Sequence, residues 1–433
     1  MNTCKDNNIS NIGTGVIKRS TKICDEGCSR RPADTPAVEI IFAGDACFRG
    51  REGVVDRQYS SDILADIKPF LTDSDYRIIN LENPLTPEGE GTPIFKGGPN
   101  LTGLPQNVGF LEEGGFNCAV LANNHIGDYG PDSIRSTIRI LKEHNIACAG
   151  AGENLDEAYK ALHIDIKGIG ISVIACAENE YGGALANRPG SAMYQQGRLS
   201  SRIKEEKRKS DFVIVCFHGG NEYNPFPSPQ VIERYRSFCD CGADAVIAGH
   251  THCPQGYEYY NTKPIIYSMG NFYFPALSKL EPDSSWYYGY MSKLTLVKGK
   301  MPLFEAIPYR FDTGATRITP FAGEKLEGFR NYLDGISAVI ANPEMTERFY
   351  AGWCALKGPG LAKLLRSKPE YLEKPDISAD AEAKKTLFYF RSLFNCEAHR
   401  ELMAKFFRLV CESRLNEALQ YAEELKEYMK MSV

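Results

Sequence analysis

Seven histidines occur in 433 residues, and two of them, His250 and His252, sit two apart in "AGHTHCPQG" (248–256). The run before them, "ADAVIAG", reads as a strand, so both imidazoles arrive at a strand's C-terminal end. In an extended segment residues i and i+2 project to the same side, about 7 Å apart at Cα. Two metal ions about 3.5–4 Å apart can each take one such ring, and Gly249 lets the chain turn there without a Cβ clash. Other apolar runs end in the same way. "AVEIIFAGD" delivers Asp45, "YRIINLEN" delivers Asn80 and Glu82, "NCAVLANNH" delivers Asn123, Asn124 and His125, and "DFVIVCFHGGNEY" delivers His218 and Glu222. Each alone reads as a turn, a cap or a hydrogen-bonded core group. Together they bring four of the seven histidines, with carboxylates, to one end of successive strands. That end is where open α/β sheets bind ligands, and a mixed His/Asp/Glu/Asn set suits one or two divalent ions such as Mn, Fe or Zn.

The elements that position these residues alternate. The runs above, with "ISVIACAEN" and "PIIYSMGNF", are short and rich in β-branched and aromatic residues, as buried strands are. Between them lie helix signals. "PDSIRSTIRILKEHN" opens on Pro131 and carries Ile134, Ile138 and Leu141 on one face. "SPQVIERYRSFCDCG" opens on Pro229, carries Val231, Tyr235 and Phe238, and stops at Gly242. The alternation predicts an α/β layered fold. The sequence divides into a polar leader (1–36), an α/β domain (37–320) and a helical C-terminal region (321–433). In the last of these Leu402, Phe406 and Leu409 form an i, i+4, i+7 stripe that reads as core or docking surface.

Composition excludes some classes. The net charge of -5 argues against a broad nucleic-acid footprint. The first residues lack a signal-peptide apolar region and no run is long enough to span a bilayer, so a cytoplasmic protein with no membrane anchor is expected. Cys118, Cys176 and Cys216 fall inside apolar strands and read as buried free thiols. Cys24 and Cys28 have no second half of a metal site. There is neither a G-x-S-x-G elbow nor a G-x-x-x-x-G-K-[ST] phosphate loop.

From about residue 38 to 276 the chain resembles the CapA family of poly-γ-glutamate or capsule biosynthesis proteins, a branch of the calcineurin-like metallophosphoesterase superfamily. The resemblance rests on "GD" (44–45), "NLENPLT" (80–86), "LANNHIGDYG" (121–130), "AGAGENLDEA" (149–158), "HGGNEY" (218–223), "GADAVIAGHTH" (242–252) and "KPIIYSMGNFYF" (263–274). It implies a layered sandwich of two β-sheets flanked by helices, with a binuclear site between the sheets. By position, Asp45, Glu82, Asn124, His218, His250 and His252 would ligate metal. Glu82 stands where the superfamily has a bridging Asp. His125, beside Asn124, would protonate the leaving group or steady the transition state. Cys47 stands where the first motif has its second His, as a thiolate ligand or a buried thiol, and Asn123 stands where the superfamily has Gly.

Asn80, Asn123, Asp128 and Glu222 are expected to support the ligands, with Asp128 orienting a partner or capping the helix that opens at Pro131. Arg49, Arg51 and Lys96 are candidates for pairing with phosphate or carboxylate oxygens, or are solvated loop charges. The expected function is metal-dependent hydrolysis of a phosphoester or amide-like bond in an anionic small molecule or polymer, linked to capsule or poly-γ-glutamate metabolism and its synthesis proteins. The alternative is a non-catalytic accessory protein that binds an anionic polymer during that synthesis.

Overall fold

The structure, a computed structural model, describes residues 36–48, 57–276, 278–366 and 380–431. The leader, with Cys24 and Cys28, lies outside the described residues apart from Pro36. One sheet runs β16 (Ile318–Pro320), β15 (Leu303–Phe311), β14 (Tyr288–Leu296), β1 (Val38–Ala46), β2 (Tyr76–Leu81), β3 (Cys118–Val120), β4 (Ala147–Ala149), with β13 (Asn271–Tyr273) also pairing with β1. The other runs β11 (Tyr257–Tyr260), β12 (Lys263–Ile266), β10 (Ala245–Gly249), β9 (Phe212–His218), β7 (Ile169–Ala177), β6 (Leu162–Ile166). β5 (Ala151–Gly152) and β8 (Gly190–Ser191) pair separately. The strands β1–β4, and likewise β7, β9, β10 and β12, pair in parallel.

Period-two burial shows how the second sheet is covered on both faces. Ile171, Val173, Ala175, Ile214, Cys216, Ala245 and Ile247 join the core shared with the first sheet. Ile174, Cys176, Val213, Val215, Phe217, Val246 and Ala248 turn the other way, against Leu199, Ile203, Val231, Tyr235 and Phe238 of the helices Gln196–Glu206 and Pro229–Cys241. Each fully buried Val, Leu, Ile or Phe side chain stabilises this arrangement by about 1.5–3 kcal/mol. The helix at Pro229 has the expected caps: Ser228 Oγ accepts from Val231 N, and Gly242 ends it at φ 120°. The helix Pro131–Glu143 buries Ile134 and Leu141 against the first sheet, while Ile138 is half-buried.

Beyond β16 the chain is helical, as its periodicity predicts: Gly323–Ile340, Pro343–Ala362, Ala381–Asn395, Glu397–Cys411 and Leu415–Tyr428. The stripe Leu402, Phe406 and Leu409 is buried core. A Cβ on Gly358 would stand 2.3 Å from the Phe406 ring, so that glycine permits the helix contact. Among the described residues no helix is long and apolar enough to cross a membrane, and the described cysteines are free.

Candidate metal centre

Strand register sets the site. Asp45 pairs with Asn80 of β2 and with Asn271 of β13, while His218 pairs with Gly249 of β10 and Ala177 of β7. The register breaks on both sides of Asp45, and such irregularities re-aim a side chain. The C-terminal ends of β1 and β2 thus face those of β9 and β10. There the structure brings together two overlapping groups of donors, Asp45, Glu82 and His252, and Glu82, His218 and His250, with ligand atoms within 4.8 Å of one another in each. Asn124 joins the second group, its Oδ1 3.1 Å from His218 Nε2.

The turn that carries His250 and His252 is not extended. Both residues have left-handed backbones, φ 92° and 54°, and their ring centroids are 6.2 Å apart. Such conformations cost about 1–3 kcal/mol each in a non-glycine residue and cluster at functional sites. Gly249 serves a purpose other than the expected turn. A Cβ there would stand 2.6 Å from Asp45 Oδ1, so the glycine makes room for the carboxylate. Gly249→Ala is expected to push Asp45 aside and to weaken metal binding at least about tenfold, as displacement of a positioned ligand does; isothermal titration with Mn²⁺ checks this.

The electrostatics fit a divalent ion. Burial lowers the pKa of His218 and of His250, and lowers His252 to about 3, so all three rings are neutral with nitrogen lone pairs to offer. Burial, and then Glu82, raises Asp45 to about 7. Glu82 is also raised, by burial first and then by Glu222 and Glu180, and its Oε1 is buried with no hydrogen-bond partner. That oxygen lies 3.5 Å from His218 Nε2 and 3.7 Å from His252 Nε2. An unpartnered buried carboxylate oxygen is costly unless a cation meets it. Oxygen and neutral imidazole donors are those of Mn, Fe and Zn sites.

Neighbouring groups hold the donors in place. Asp45 accepts from Asn80 Nδ2 at 2.8 Å and from His250 N at 2.9 Å. Asn123 donates to Asn80 Oδ1 and Leu81 O, and accepts from His125 N and Ile126 N, so it ties two strand ends together. Asn271 Oδ1 lies 2.9 Å from His252 Nδ1, leaving Nε2 to face the centre. His125 Nδ1 is 2.6 Å from Asp128 Oδ2, and Asp128 Oδ1 is 2.5 Å from Lys96 Nζ. Lys96 is thereby paired and buried, and serves Asp128 and His125. Asp128 does not cap the helix at Pro131, whose N-cap residue is Gly130.

Cys47 belongs to neither donor group. It is fully buried in the hydrophobic core beside Phe48. Arg49 and Arg51 lie outside the described residues.

A cavity of about 440 Å³ opens over the centre, lined by Asn124, His125, Glu222, His250, Lys96 and Glu180 on the sandwich side. Glu222 is solvent-exposed in this cavity, yet protein surrounds it closely enough that burial and Glu180 raise it to about 7. The opposite wall is Trp353, Lys357, Tyr389, His399 and Leu402 of the C-terminal helices. The sequence reading did not place that wall at the site. It also missed Glu178, whose Oε1 is 3.3 Å from His250 Nε2, although Glu178 follows β7 as the other site residues follow their strands.

The Bacillus anthracis "Capsule biosynthesis protein CapA" is 31% identical over 229 residues, 51% of this chain and 56% of that protein. The Bacillus subtilis (strain 168) "PGA biosynthesis protein CapA" is 30% identical over 254 residues, 56% of this chain and 67% of that protein. A Mycobacterium tuberculosis (strain ATCC 25618 / H37Rv) relative, "Probable polyglutamine synthesis accessory protein", is 27% identical over 221 residues, 46% of this chain and 56% of its own length. The matches thus span little more than half to two thirds of those relatives. The family model described as "Bacterial capsule synthesis protein PGA_cap" matches residues 39–276, more than half of the chain, and the chain belongs to that family.

Proposed function

We propose that the chain is a metal-dependent hydrolase that cleaves a phosphoester or amide-like bond in an anionic substrate of capsule or poly-γ-glutamate metabolism. The observation that carries this reading is Glu82, shared by both donor groups with a buried, unpartnered oxygen, beneath a cavity that His250, Asn124 and His125 line. Bound at these donors, divalent ions supply Lewis-acid activation of water and of the scissile group.

The chain's own residues do the rest. Asp128 holds His125 through Nδ1, which leaves Nε2 as the nitrogen available to substrate. Burial, and then Lys96, lowers the His125 pKa, so the ring starts neutral. It takes up at Nε2 the proton that the attacking water gives up, Asp128 stabilises the imidazolium, and the same proton passes to the leaving oxygen or nitrogen. Lys357, on the facing wall, is placed to meet an anionic group of the substrate. Residues 37–320 act in this reading as the catalytic unit, with 321–433 covering it. Free buried thiols support a cytoplasmic location.

His125→Ala is expected to lower turnover about 10²–10⁴-fold with metal content unchanged, and Asn124→Ala to lower turnover together with metal affinity. A screen of phosphoester and γ-glutamyl substrates with Mn²⁺-loaded protein checks both. Unchanged turnover in His125→Ala would remove the active-site assignment. The M. tuberculosis relative's name favours a second reading, an accessory protein that binds an anionic polymer without cleaving it. Polyglutamate binding without turnover in the same screen would establish that reading.

A further inference from the structure

A second set of donors lies on the cavity wall, adjoining the metal centre through Glu180, which also groups with Glu178 and His250. Glu180 follows β7, while Cys396 and His399 stand at the start of the helix Glu397–Cys411. One ligand atom from each lies within 4.8 Å of the other two. Cys396 Sγ is 3.8 Å from Glu180 Oε1. His399 Nδ1 is 3.1 Å from Ser392 Oγ, which leaves Nε2 as its ligand nitrogen. Glu180 Oε2 accepts from Asn124 Nδ2 at 3.0 Å, so one oxygen is held in place and the other faces the thiol.

The surroundings concentrate negative charge. After burial, Glu180 and then Glu397 disfavour the charge of Glu178, and Arg234 acts against them. Glu397 is satisfied by Asn179, whose N and Nδ2 both donate to it at 2.8 Å. Glu178 is not satisfied. It is 2% exposed and both its carboxylate oxygens lack a hydrogen-bond partner. Burial, and then Glu178 and Glu180, pushes the Cys396 thiol well up. A group of carboxylates, thiol and imidazole, buried at Glu178 and Cys396 and half-buried at Glu180 and His399, with so little positive charge holds protons or a cation.

We propose that Glu180, Cys396 and His399 form a third cation site. A carboxylate oxygen, a thiolate and an imidazole nitrogen are a zinc-type donor set, softer than the all-oxygen-and-nitrogen set of the metal centre. Glu180 and His399 both line the cavity, so the fourth coordination position opens onto it. Binding releases the Cys396 proton to solvent, and Zn²⁺ takes its place on sulfur. Two of the three ligands lie beyond residue 276, where the family match ends, so the site belongs to the C-terminal helices of this chain. There the ion fastens those helices to the loop after β7, and Glu178 links it to His250. The proposal does not depend on hydrolysis.

The test uses the full chain loaded with Co²⁺, whose bond to a thiolate gives a charge-transfer band in the near-ultraviolet. The wild type is expected to show the band, Cys47→Ser to keep it and Cys396→Ser to lose it. Loaded instead with Zn²⁺, Cys396→Ser and His399→Gln are each expected to bind one ion fewer than the wild type by mass spectrometry. His399 is half-buried and Gln keeps much of its volume, so this variant decides the matter if Cys396→Ser fails to fold. A wild type without the band, a band lost in Cys47→Ser but kept in Cys396→Ser, or a full zinc complement in His399→Gln overturns the proposal.

Discussion

Glu82→Gln is expected to empty both positions of the metal centre at once, whereas His250→Ala and His252→Ala each empty one. The asymmetry follows from geometry. Glu82 is common to the two donor groups, while His250 belongs to the group with His218 and His252 to the group with Asp45. Loss of a partner behind a ligand already costs about 10–100-fold in affinity, so loss of the shared charged ligand is expected to exceed about 100-fold. Glutamine keeps the volume of Glu82, so the variant also separates ligation from packing. In metal-free protein it removes a buried carboxylate whose Oε1 has no partner, and its melting temperature is expected to match or exceed that of wild type. Mn²⁺ content after equilibrium dialysis, with thermal melts of the same samples, reads both effects. One ion retained by Glu82→Gln, or a full complement in either histidine variant, would show that the ligands are wrongly assigned.

The stabilisation that metal confers is expected to grow as pH rises above about 6.5, the ordinary histidine value. Asp45 and Glu222 are raised to about 7, and Glu82 and Glu178 are raised well above their usual range. Burial is the first cause for each, and these carboxyls prefer the protonated form in the folded chain. Each contributes stability that is lost as pH climbs from the unfolded carboxyl value through the folded one. The histidines have the opposite sign. With His125, His218, His250 and His252 all lowered, the unfolded chain binds protons that the folded chain refuses, so their term rises with pH and is complete by about 6.5. Below that pH the two sets oppose each other; above it only the carboxyl loss continues. Metal-free protein is therefore expected to lose stability from about pH 6.5 to 8. Divalent ions favour ionised carboxylates and neutral imidazoles, and so reverse the loss. Melts at several pH values with and without Mn²⁺ test this. A metal-induced shift that shrinks with rising pH would contradict it.

Much of the centre was legible because its logic is one-dimensional. A buried parallel strand announces itself as a short apolar run, and its C-terminal end is the next residue or two, so Asp45, Glu82, Asn124, His218, His250 and His252 could be placed at one rim. Glu178 obeys the same rule after "SVIACA" and was overlooked because it lies in none of the superfamily's motif pieces. The backbone of the His250–His252 turn was not legible. An extended segment and a left-handed one are written alike, and only the structure shows Gly249 making room for Asp45 rather than turning the chain.

The far wall was hidden for a different reason. Helical periodicity shows that Leu402 and Phe406 are buried, but not that the same helix brings His399 to the cavity; that contact spans 219 residues between Glu180 and His399 and is set by packing. The half-buried pair Arg234–Glu401, 2.5 Å apart, and the bonds from Asn179 to Glu397 fix it. Lys96 has two readings in the sequence, a partner for substrate oxygens or a solvated loop charge; it lines the cavity with its ammonium on Asp128, a pairing that its local sequence does not show.

The central claim is that strand ends from two facing sheets build a two-ion centre around Glu82. Anomalous diffraction at the manganese edge from crystals of the Mn²⁺-loaded chain tests it most directly. The account predicts two peaks sharing Glu82, one beside Asp45 and His252 and the other beside Asn124, His218 and His250. A map with no peak within bonding distance of Glu82 would contradict it.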